Sequence, residues 1–548
     1  MKPTPSADKL RGGYYTPDAI AEFLANWAIQ GPNDRVLEPS AGDGSFLRAS
    51  AGRLSELGAR PDSMGLVAIE VDPAAAMQAK DALAPYGLSA AVREGDFFAY
   101  AESLPAGAEF DAILGNPPFL RFQHFRDEHR EPAFRLMRCA GLHPTRLTNA
   151  WVPFLVASTA LLSDIGRLAM VVPAELLQVG YAAELRRFLS DAFARVTVIA
   201  FDSLVFEGIQ QEVVLLLAEK ASESQPGIRV IEVRDAAALS GVDPSHDSPL
   251  KEMDHSSEKW TQYFLHPDEL QALRAVRQTK GFISLGTVAS VDVGVVTGNN
   301  DFFLIATHGE LDHSRFAVYL EPILTRSRQV RGLEFTPEDW ADSRRQGDAR
   351  HLLAIGPEDG IAPELDAYLQ TGIDAGVPLG YKCRVRKKWY VVPSVSRAQG
   401  FMLRQIHSHP QMAINSTEAT STDTVHRVAF RGGTDPRGLA VSFHNSATFA
   451  FAEVMGRSYG GGVLELEPSE ADALPIPYIA ALGDLLPSVD RALRVGAVEA
   501  ALSMVDEAVA QQLGVSPDEF ALLRRGWLRL RARRHRRHGP ALPRAGKL

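Results

Sequence analysis

The chain has 548 residues, of which 45% are hydrophobic and 23% charged, and its formal net charge is −10. This length exceeds what one hydrophobic core supports, so two or three domains are expected. The net charge argues against a uniformly basic surface for nucleic acid, although local basic patches remain compatible with it.

Only two cysteines are present, Cys139 and Cys383, which excludes a disulfide framework and favours a reducing, cytoplasmic setting. No apolar run approaches the ~18 residues that a membrane-spanning helix requires. The start of the chain, Met1–Pro5, lacks the apolar region of a signal peptide. No Cys/His cluster has metal-binding spacing, and His407 and His409 are as well explained as loop residues, so no metal is expected.

The first informative segment, Val36–Leu47, is typical of a short strand, a turn of small residues and the start of a helix. Gly42 and Gly44 permit close backbone approach in that turn. A glycine turn of this kind is common in nucleotide-binding folds and is weak evidence alone.

Two further strands end in acidic residues. Gly65–Asp72 is apolar up to Glu70, whose carboxylate can accept hydrogen bonds from ribose hydroxyls. In Val92–Phe98, Asp96 can accept a hydrogen bond from an adenine amine while Phe97 packs on the purine ring. The alternatives are that Glu70 and Asp96 are surface carboxylates at strand ends and that Phe97 is a core residue.

The most informative segment follows the predicted strand Phe110–Gly115 and reads Asn116-Pro117-Pro118-Phe119. The Asn116 side-chain oxygen and the Pro117 carbonyl can each accept a hydrogen bond from one N–H of an exocyclic amine, which concentrates the nitrogen lone pair on the attacking face. Proline makes this pair rigid, and the aromatic ring offers a stacking face for the base. A simple Asn-Pro turn is the alternative interpretation.

In this order, the segments resemble the gamma-class, or Taq-type, S-adenosylmethionine-dependent N6-adenine DNA methyltransferases of restriction-modification systems. The resemblance covers about residues 11–220 and includes Gly12–Pro17, which is similar to the family's N-terminal motif. In either interpretation Thr16 would cap the following helix, with Pro17 at its first position.

The resemblance implies a role for each matching residue. Those expected to bind the methyl donor are Tyr15, Thr16, Pro17, Glu38, Ala41, Gly42, Glu70, Asp96, Phe97 and Asn116. Those expected at the reacting base are Asn116, Pro117, Pro118, Phe119 and Phe206. The contacts of Ser40 and Asp43, where relatives vary, are left open.

Beyond this motif, alternating helices and strands predict a mostly parallel α/β sheet of Rossmann-like, class I methyltransferase type. The predicted elements are a helix over 148–162 and strands over 166–173, 195–201 and 212–218. Residues 1–240 are predicted to form the methyltransferase domain, and 243–249 is linker-like in composition.

Residues 255–480 resemble a mixed α/β target-recognition domain, and 481–548 are predicted to be a helical C-terminal region with a basic tail. The basic run 382–390 alternates as an edge strand would, and Lys387, Lys388 and Trp389 are candidates for DNA contact. Arg457 and Tyr459, in a glycine-rich loop, are weaker candidates, since an ordinary hairpin explains them equally well. The arginines of 524–537 predict a second phosphate-binding patch, with a solvated, partly disordered end as the alternative.

The predicted function is transfer of a methyl group from S-adenosylmethionine to N6 of an adenine flipped out of double-stranded DNA. A separately encoded restriction endonuclease is a candidate partner. Neither cysteine follows a proline, which argues against covalent methylation of cytosine carbon 5.

The motif is also compatible with different substrates and roles. Asn-Pro-Pro-aromatic motifs occur in methylases of release-factor glutamine and of guanine N2 in ribosomal RNA, and cytosine N4 methylases are closer still. A DNA-binding defence subunit with a vestigial methylase site is a second candidate, and a fused methylase-endonuclease is a third. The short segment before the first motif leaves no room for a nuclease domain there.

Overall fold

The computed structural model describes residues 16–105, 109–203, 205–206, 212–221, 225–256, 258–306, 317–459 and 462–536. The chain divides into two compact units, one reaching to Pro267 together with the segment from Arg536, and the other spanning Asp268–His535. The predicted boundaries at 240, 255 and 480 stay predictions. No helix among the described residues has the length and apolar character needed to cross a membrane.

The first unit is built on an eight-stranded sheet of order β3-β2-β1-β4-β5-β7-β6-β8. The strands are β1 (Arg35–Glu38), β2 (Gly65–Glu70), β3 (Val92–Glu94), β4 (Phe110–Gly115), β5 (Leu162–Pro173), β6 (Arg195–Phe201), β7 (Val213–Glu219) and β8 (Gly227–Val233). β7 runs antiparallel to both of its neighbours, and the other pairings of this sheet are parallel.

Among the described residues of the first unit, seven helices connect or flank these strands. They are α1 (Asp18–Ala28), α2 (Ser45–Glu56), α3 (Pro73–Leu83), α4 (Phe97–Ser103), α5 (Asp127–Cys139), α6 (Trp151–Leu161) and α7 (Ala183–Ala192). Strand β6 is buried along its whole length, as expected for a sheet covered on both faces. The predicted Rossmann-like class I methyltransferase fold is therefore confirmed, and β8 is an additional strand that was not expected from the sequence.

The strand order places the candidate residues side by side. β1 pairs with both β2 and β4, so the chain order reverses at β1, and β3 lies beyond β2. In an open α/β sheet, ligands bind at such a switch point, outside the carboxyl ends of the strands. Glu38, Glu70, Asp96 and Asn116 all lie at or just after those ends.

The second unit is mixed α/β, as predicted for the C-terminal part. Its sheets have the strand orders β10-β19-β15-β17-β13, β11-β14-β12-β18, β16-β21-β20 and β22-β9. The strands are β9 (Phe282–Ser284), β10 (Ala289–Asp292), β11 (Leu304–Ala306), β12 (Leu320–Leu324), β13 (Glu334–Phe335), β14 (Arg350–Leu353), β15 (Gly400–Leu403), β16 (Gln405–Ile406), β17 (Met412–Asn415), β18 (Thr420–Ser421), β19 (Val425–Phe430), β20 (Arg457–Tyr459), β21 (Val463–Glu465) and β22 (Pro475–Pro477).

The helices of this unit connect the sheets and form its C-terminal part. They are α8 (Pro267–Gln278), α9 (Asn300–Phe303), α10 (Pro337–Arg345), α11 (Pro363–Asp374), α12 (Tyr381–Arg384), α13 (Pro436–Phe443), α14 (Ser446–Met455), α15 (Pro468–Asp472), α16 (Leu486–Arg494), α17 (Val498–Leu513) and α18 (Pro517–Arg536). Within the predicted helical region 481–548, α16 and α17 are two separate helices, which are divided at Gly496, where φ is +78°.

The prediction of an edge strand over 382–390 is wrong. The segment forms the short helix α12 followed by turns. Lys382 and Arg384 are exposed, and Cys383 between them is buried. A single helical turn with one buried side chain gives the same alternation of polar and apolar residues over three positions as a strand does.

Candidate active site

The glycine turn joins β1 to α2. Gly44 has φ of +81°, and a Cβ there would lie 2.8 Å from the Ala82 Cβ and 3.1 Å from the Ala79 Cα, so only glycine fits. The Ala41 N–H donates to the Ile69 carbonyl at 3.0 Å, which ties the turn to the end of β2.

Glu70 is fixed by the backbone on both sides. Its Oε2 accepts from the Gly42 N–H at 2.8 Å and its Oε1 accepts from the Asp72 N–H at 2.9 Å. Each carboxylate oxygen retains a further lone pair, so a ribose with two hydroxyls can bind the same group. That role stays a prediction.

Glu38 is buried at the end of β1 with 2% of its surface exposed. Neither carboxyl oxygen has a hydrogen-bond partner among the described residues. Burial raises the pKa of Glu38 well above its ordinary value, and the negative charges of Glu70 and Asp43 act in the same direction. A buried carboxyl group without a partner is unfavourable, so this site fits a ligand that brings a cationic hydrogen-bond donor.

Asn116 connects three segments of the candidate site. Its Nδ2 donates to Thr16 Oγ1 at 3.2 Å, and its backbone carbonyl accepts from Ser40 Oγ at 3.2 Å. The N-terminal motif and the glycine turn therefore both hold the Asn116 loop. Because Nδ2 faces Thr16, the side-chain oxygen is the atom presented in the other direction.

The prediction that Thr16 caps the first helix is wrong. Helix α1 has Pro17 as its N-cap, without a side-chain cap, and the Pro17 carbonyl accepts from Ile20 and Ala21 N–H. Thr16 is 6% exposed and its hydroxyl is used by Asn116 instead. Tyr15 lies outside the described residues.

The rest of the Asn116 loop packs against the core of the first unit. Pro117 is buried, and Pro118 and Phe119 are half-buried. Phe119 packs against the hydrophobic cluster that also contains Phe206, which is 6% exposed. The roles of these rings at a flipped base stay predictions.

Asp96 and Phe97 occupy structural positions at the start of α4. Asp96 Oδ1 caps the helix by accepting from Ala99 N–H at 2.8 Å, and Oδ2 lies 2.9 Å from His129 Nδ1. Phe97 is 2% exposed and stacks on Phe154 with centroids 5.2 Å apart. No pattern in the sequence indicated the contact between His129 and Asp96, because His129 lies on a different helix, α5, far from Asp96 along the chain.

The candidate DNA contacts lie in the second unit. Lys387 is exposed, Lys388 donates to the Pro357 carbonyl, and Trp389 is half-buried with its centroid 5.4 Å from that of Phe302. Arg457 lies on β20, which pairs with β21, and its Nε is 2.9 Å from Oε1 of Glu470 on α15. Tyr459 pairs with Val463, so β20 and β21 are antiparallel neighbours, and Gly460 and Gly461 of the predicted glycine-rich loop lie outside the described residues.

Among the described residues, no group of three His, Cys, Asp or Glu side chains is placed to hold a metal ion.

Comparison with known proteins gives two family matches. The family described as N-6 DNA Methylase matches residues 2–280, and the C-terminal domain of Type II methyltransferase M.Eco57I matches residues 257–510.

Individual relatives match along most of the chain. Type II methyltransferase M.XamI of Xanthomonas campestris pv. amaranthicola is 24% identical over 490 residues, which cover 85% of each chain. Type II methyltransferase M.PaeR7I of Pseudomonas aeruginosa is 23% identical over 568 residues, covering 94% of this chain and 93% of the relative. The solved structure of the type IIG restriction endonuclease BpuSI matches with a TM-score of 0.41 and 15% identity, covering 97% of this chain and 67% of that one.

Proposed function

Because the chain belongs to the N-6 DNA methylase family, we propose that it methylates N6 of adenine at a specific site in double-stranded DNA. In this proposal it protects host DNA within a type II restriction-modification system, alongside a separately encoded endonuclease. The matches to Type II methyltransferases over most of the chain support the system.

The observation that carries the proposal is the position of Asn116. It directly follows β4, next to the switch point of the sheet, and its amide nitrogen is held by Thr16. The side-chain oxygen is therefore set as a hydrogen-bond acceptor before any substrate arrives. A preorganised acceptor of this kind stabilises charge that develops only during reaction.

The proposed chemistry acts on the amine of the target base. The Asn116 side-chain oxygen and the Pro117 carbonyl each accept a hydrogen bond from one N6–H group, which turns the nitrogen lone pair toward the methyl group. Positive charge develops on N6 during transfer, and these two oxygens stabilise it. A strong general base is unnecessary, because the N6 proton becomes acidic once the methyl group has been transferred.

The methyl donor that the family uses, S-adenosylmethionine, supplies a methyl group activated by a positively charged sulfonium. Glu38 fits the cationic amino-acid end, since its buried oxygens lack partners in the described structure. Glu70 fits the ribose, since the Gly42 and Asp72 N–H groups fix its orientation. Asp96 is held by the α4 N-terminus and by His129, and it is the proposed acceptor for the adenine amine of the donor.

A base inside a duplex cannot reach a loop at the edge of a sheet, so the target adenine has to leave the stack. The half-buried ring of Phe119 beside the Asn116 loop is the proposed stacking partner. Phe206, in the adjacent hydrophobic cluster, is the proposed second aromatic contact.

The decisive experiment replaces Asn116 with alanine. We expect Asn116→Ala to lower methyl transfer to DNA by at least ~100-fold, the scale of losing one preorganised hydrogen-bonding group at developing charge. Binding of S-adenosylmethionine, measured by equilibrium dialysis, is expected to survive. Tritiated-methyl incorporation into DNA measures the rate.

The matched control is Asn33→Ala, which removes an exposed amide in the turn before β1. It should transfer methyl groups as the wild type does. An Asn116→Ala variant with full activity would contradict the assigned role. Sequencing of modified bases in DNA from a host expressing the protein identifies the product, and N4-methylcytosine or unmodified DNA there would overturn the proposal.

A further inference from the structure

The segment Leu379–Lys387 of the second unit contains helix α12 and has most of its side chains exposed at the surface; we call it the basic projection. Three of its side chains are cationic and exposed: Lys382, Arg384 and Lys387. Three large apolar side chains are also exposed, namely Leu379 at 78%, Tyr381 at 68% and Val385 at 63%.

The charge of this region differs from that of the whole chain. No acidic residue occurs between Asp374 and Glu418, although the chain has a net charge of −10. Within the described residues none of the three exposed cations forms an ion pair, and Lys382 Nζ lies 6.0 Å from the Tyr381 ring centroid. The basic projection therefore presents uncompensated positive charge to solvent.

The base of the projection is firmly held. Cys383 is completely buried. The backbone of helix α12 lies so close to Gly298, whose φ is +86°, that a Cβ at Gly298 would lie 2.9 Å from the Lys382 Cβ. The Arg386 guanidinium donates to the Val296 and Thr297 carbonyls at 3.0 Å and 2.8 Å. These contacts fix the backbone, so the exposed side chains are displayed from a rigid support.

The other basic stretch of the sequence, in α18, has its exposed arginines next to acids. Arg525 pairs with Asp268 at 2.9 Å, and Arg536 lies 3.9 Å from Glu232. The less exposed Arg529 pairs with Glu269 at 3.0 Å. Of the two basic runs that the sequence offers for phosphate binding, the basic projection is therefore the one whose exposed cations lack acidic partners within the described residues.

The apolar side chains supply a second, independent observation. Large exposed apolar groups clustered together on a protein surface mark an interaction site rather than ordinary surface. Proteins that hold DNA combine cations on phosphates with apolar side chains that enter a groove or pack on sugars. Exposed apolar side chains alone would suit a protein partner, but these share one short segment with three cations that lack acidic partners in the described structure, which makes the segment complementary to a polyanion.

We propose that the basic projection is where the second unit grips double-stranded DNA, with Lys382, Arg384 and Lys387 on phosphates and Leu379, Tyr381 and Val385 against the groove. This inference rests on the proposed function for the identity of the nucleic acid. It also reassigns two expected contacts, because Lys388 and Trp389 serve to hold the projection instead.

The test measures binding to a 30-base-pair duplex, an arbitrary probe length that spans ~3 helical turns, as a function of salt. Each phosphate contact contributes about 0.9 to the slope of log affinity against log salt concentration. The variant Lys382→Ala/Arg384→Ala/Lys387→Ala should therefore lower the magnitude of that slope by ~2.7. Its thermal unfolding and its binding of S-adenosylmethionine should equal those of the wild type.

The charge-matched control is Arg345→Ala/Arg397→Ala/Arg525→Ala, which removes three exposed cations of the same unit that pair with Asp342, Glu418 and Asp268. It should leave the slope close to that of the wild type. An equal loss of slope in both variants would show that net charge alone sets the affinity, and would overturn the inference.

A second variant, Leu379→Ser/Tyr381→Ser/Val385→Ser, tests the apolar contacts. It should weaken duplex binding about tenfold or more while the salt slope stays unchanged, since burying apolar surface releases no counterions. If light scattering instead shows that this variant abolishes self-association of the wild type and DNA binding is unaffected, the apolar patch is a protein interface and the inference fails.

Failure of the inference is distinguishable from failure of the proposed function. A wild type that methylates adenine while the triple cation variant keeps its salt slope overturns the basic projection alone. A wild type that transfers no methyl group to DNA overturns the proposed function, and the salt slopes still decide whether the projection contacts a duplex.

Discussion

At the scale of a single residue, Glu38 shows how a side chain placed for ligand binding can lower the stability of the folded protein. Its carboxyl group is buried near Glu70 and Asp43 and has no hydrogen-bond partner in the described structure. Burial raises its pKa, because the charged form is disfavoured there. Such a group lowers the stability of the free protein and is retained where it serves binding.

We predict that Glu38→Gln makes the ligand-free protein more stable at pH 8. Between the ordinary pKa of a glutamate, ~4.3, and the raised pKa of Glu38, the folded state keeps a proton that the unfolded state releases. The stability contributed by this group is therefore lost as pH rises through that window, and the glutamine variant lacks this loss. A stabilisation of ~1 kcal/mol would appear as an increase of about 2–4 °C in the midpoint of thermal unfolding.

The same substitution should weaken binding of S-adenosylmethionine about tenfold or more, the scale of one charge-assisted hydrogen bond. Calorimetric titration measures this, and Glu22→Gln, an exposed carboxyl on α1, is the control for both readouts. A glutamine variant that binds the methyl donor with wild-type affinity would show that Glu38 does not contact it.

At the scale of an element, helix α18 shows why a run of arginines does not predict a DNA-binding surface. The arginines of 524–537 have the composition of a phosphate-binding patch, but Arg533 and Arg534 are 6% and 2% exposed. The partners of this helix lie far away in the sequence, as for Arg529 and Glu269, which are 260 residues apart. No local pattern carries that information. Several arginines of the described part of the run are therefore engaged with acids or buried, the second phosphate-binding patch stays a prediction, and residues 537–548 lie outside the described structure.

We predict that Arg534→Ala destabilises the second unit by about 3–5 kcal/mol, the cost of removing one partner of a buried ion pair. Arg534 pairs with Glu453 at 2.8 Å, with side chains 3% and 2% exposed, and also donates to the Ile406, His407 and Gly462 carbonyls. Without Arg534 the buried Glu453 carboxyl loses its counter-charge, and burial already raises its pKa.

Urea unfolding of the full chain measures the effect of Arg534→Ala. The control is Arg525→Ala, whose exposed pair with Asp268 is worth at most about 1 kcal/mol. Equal unfolding midpoints for the two variants would show that the buried pair contributes nothing beyond an exposed one.

At the scale of the whole molecule, the net charge of −10 conceals an uneven distribution. The acid-rich glycine turn of the first unit suits a cationic methyl donor, whereas the acid-free stretch of the second unit suits a polyanion. A ligand responds to the charges near its own binding site, so the net charge of the chain says little about which ligand either unit binds.

The sequence alone was sufficient to predict strands β1 to β4 of the first unit and the polar residues that follow their carboxyl ends. Strand, turn and acid recur there within short windows, and in a parallel sheet those ends meet at one edge, so local patterns predict a shared site. Asn116 and Glu70 were identified in this way, whereas Glu38 was named from the resemblance to the family; the roles of all three stay predictions.

Only the tertiary structure decided which polar groups are already engaged and which remain for a ligand. Thr16 binds Asn116 across 100 residues, and Arg525, Arg529 and Arg534 of α18 pair with acids far away in the sequence. By contrast, Lys382, Arg384 and Lys387 have no acidic partner in the described structure. Hydrogen bonds and ion pairs depend on distance in space, and a sequence records only distance along the chain.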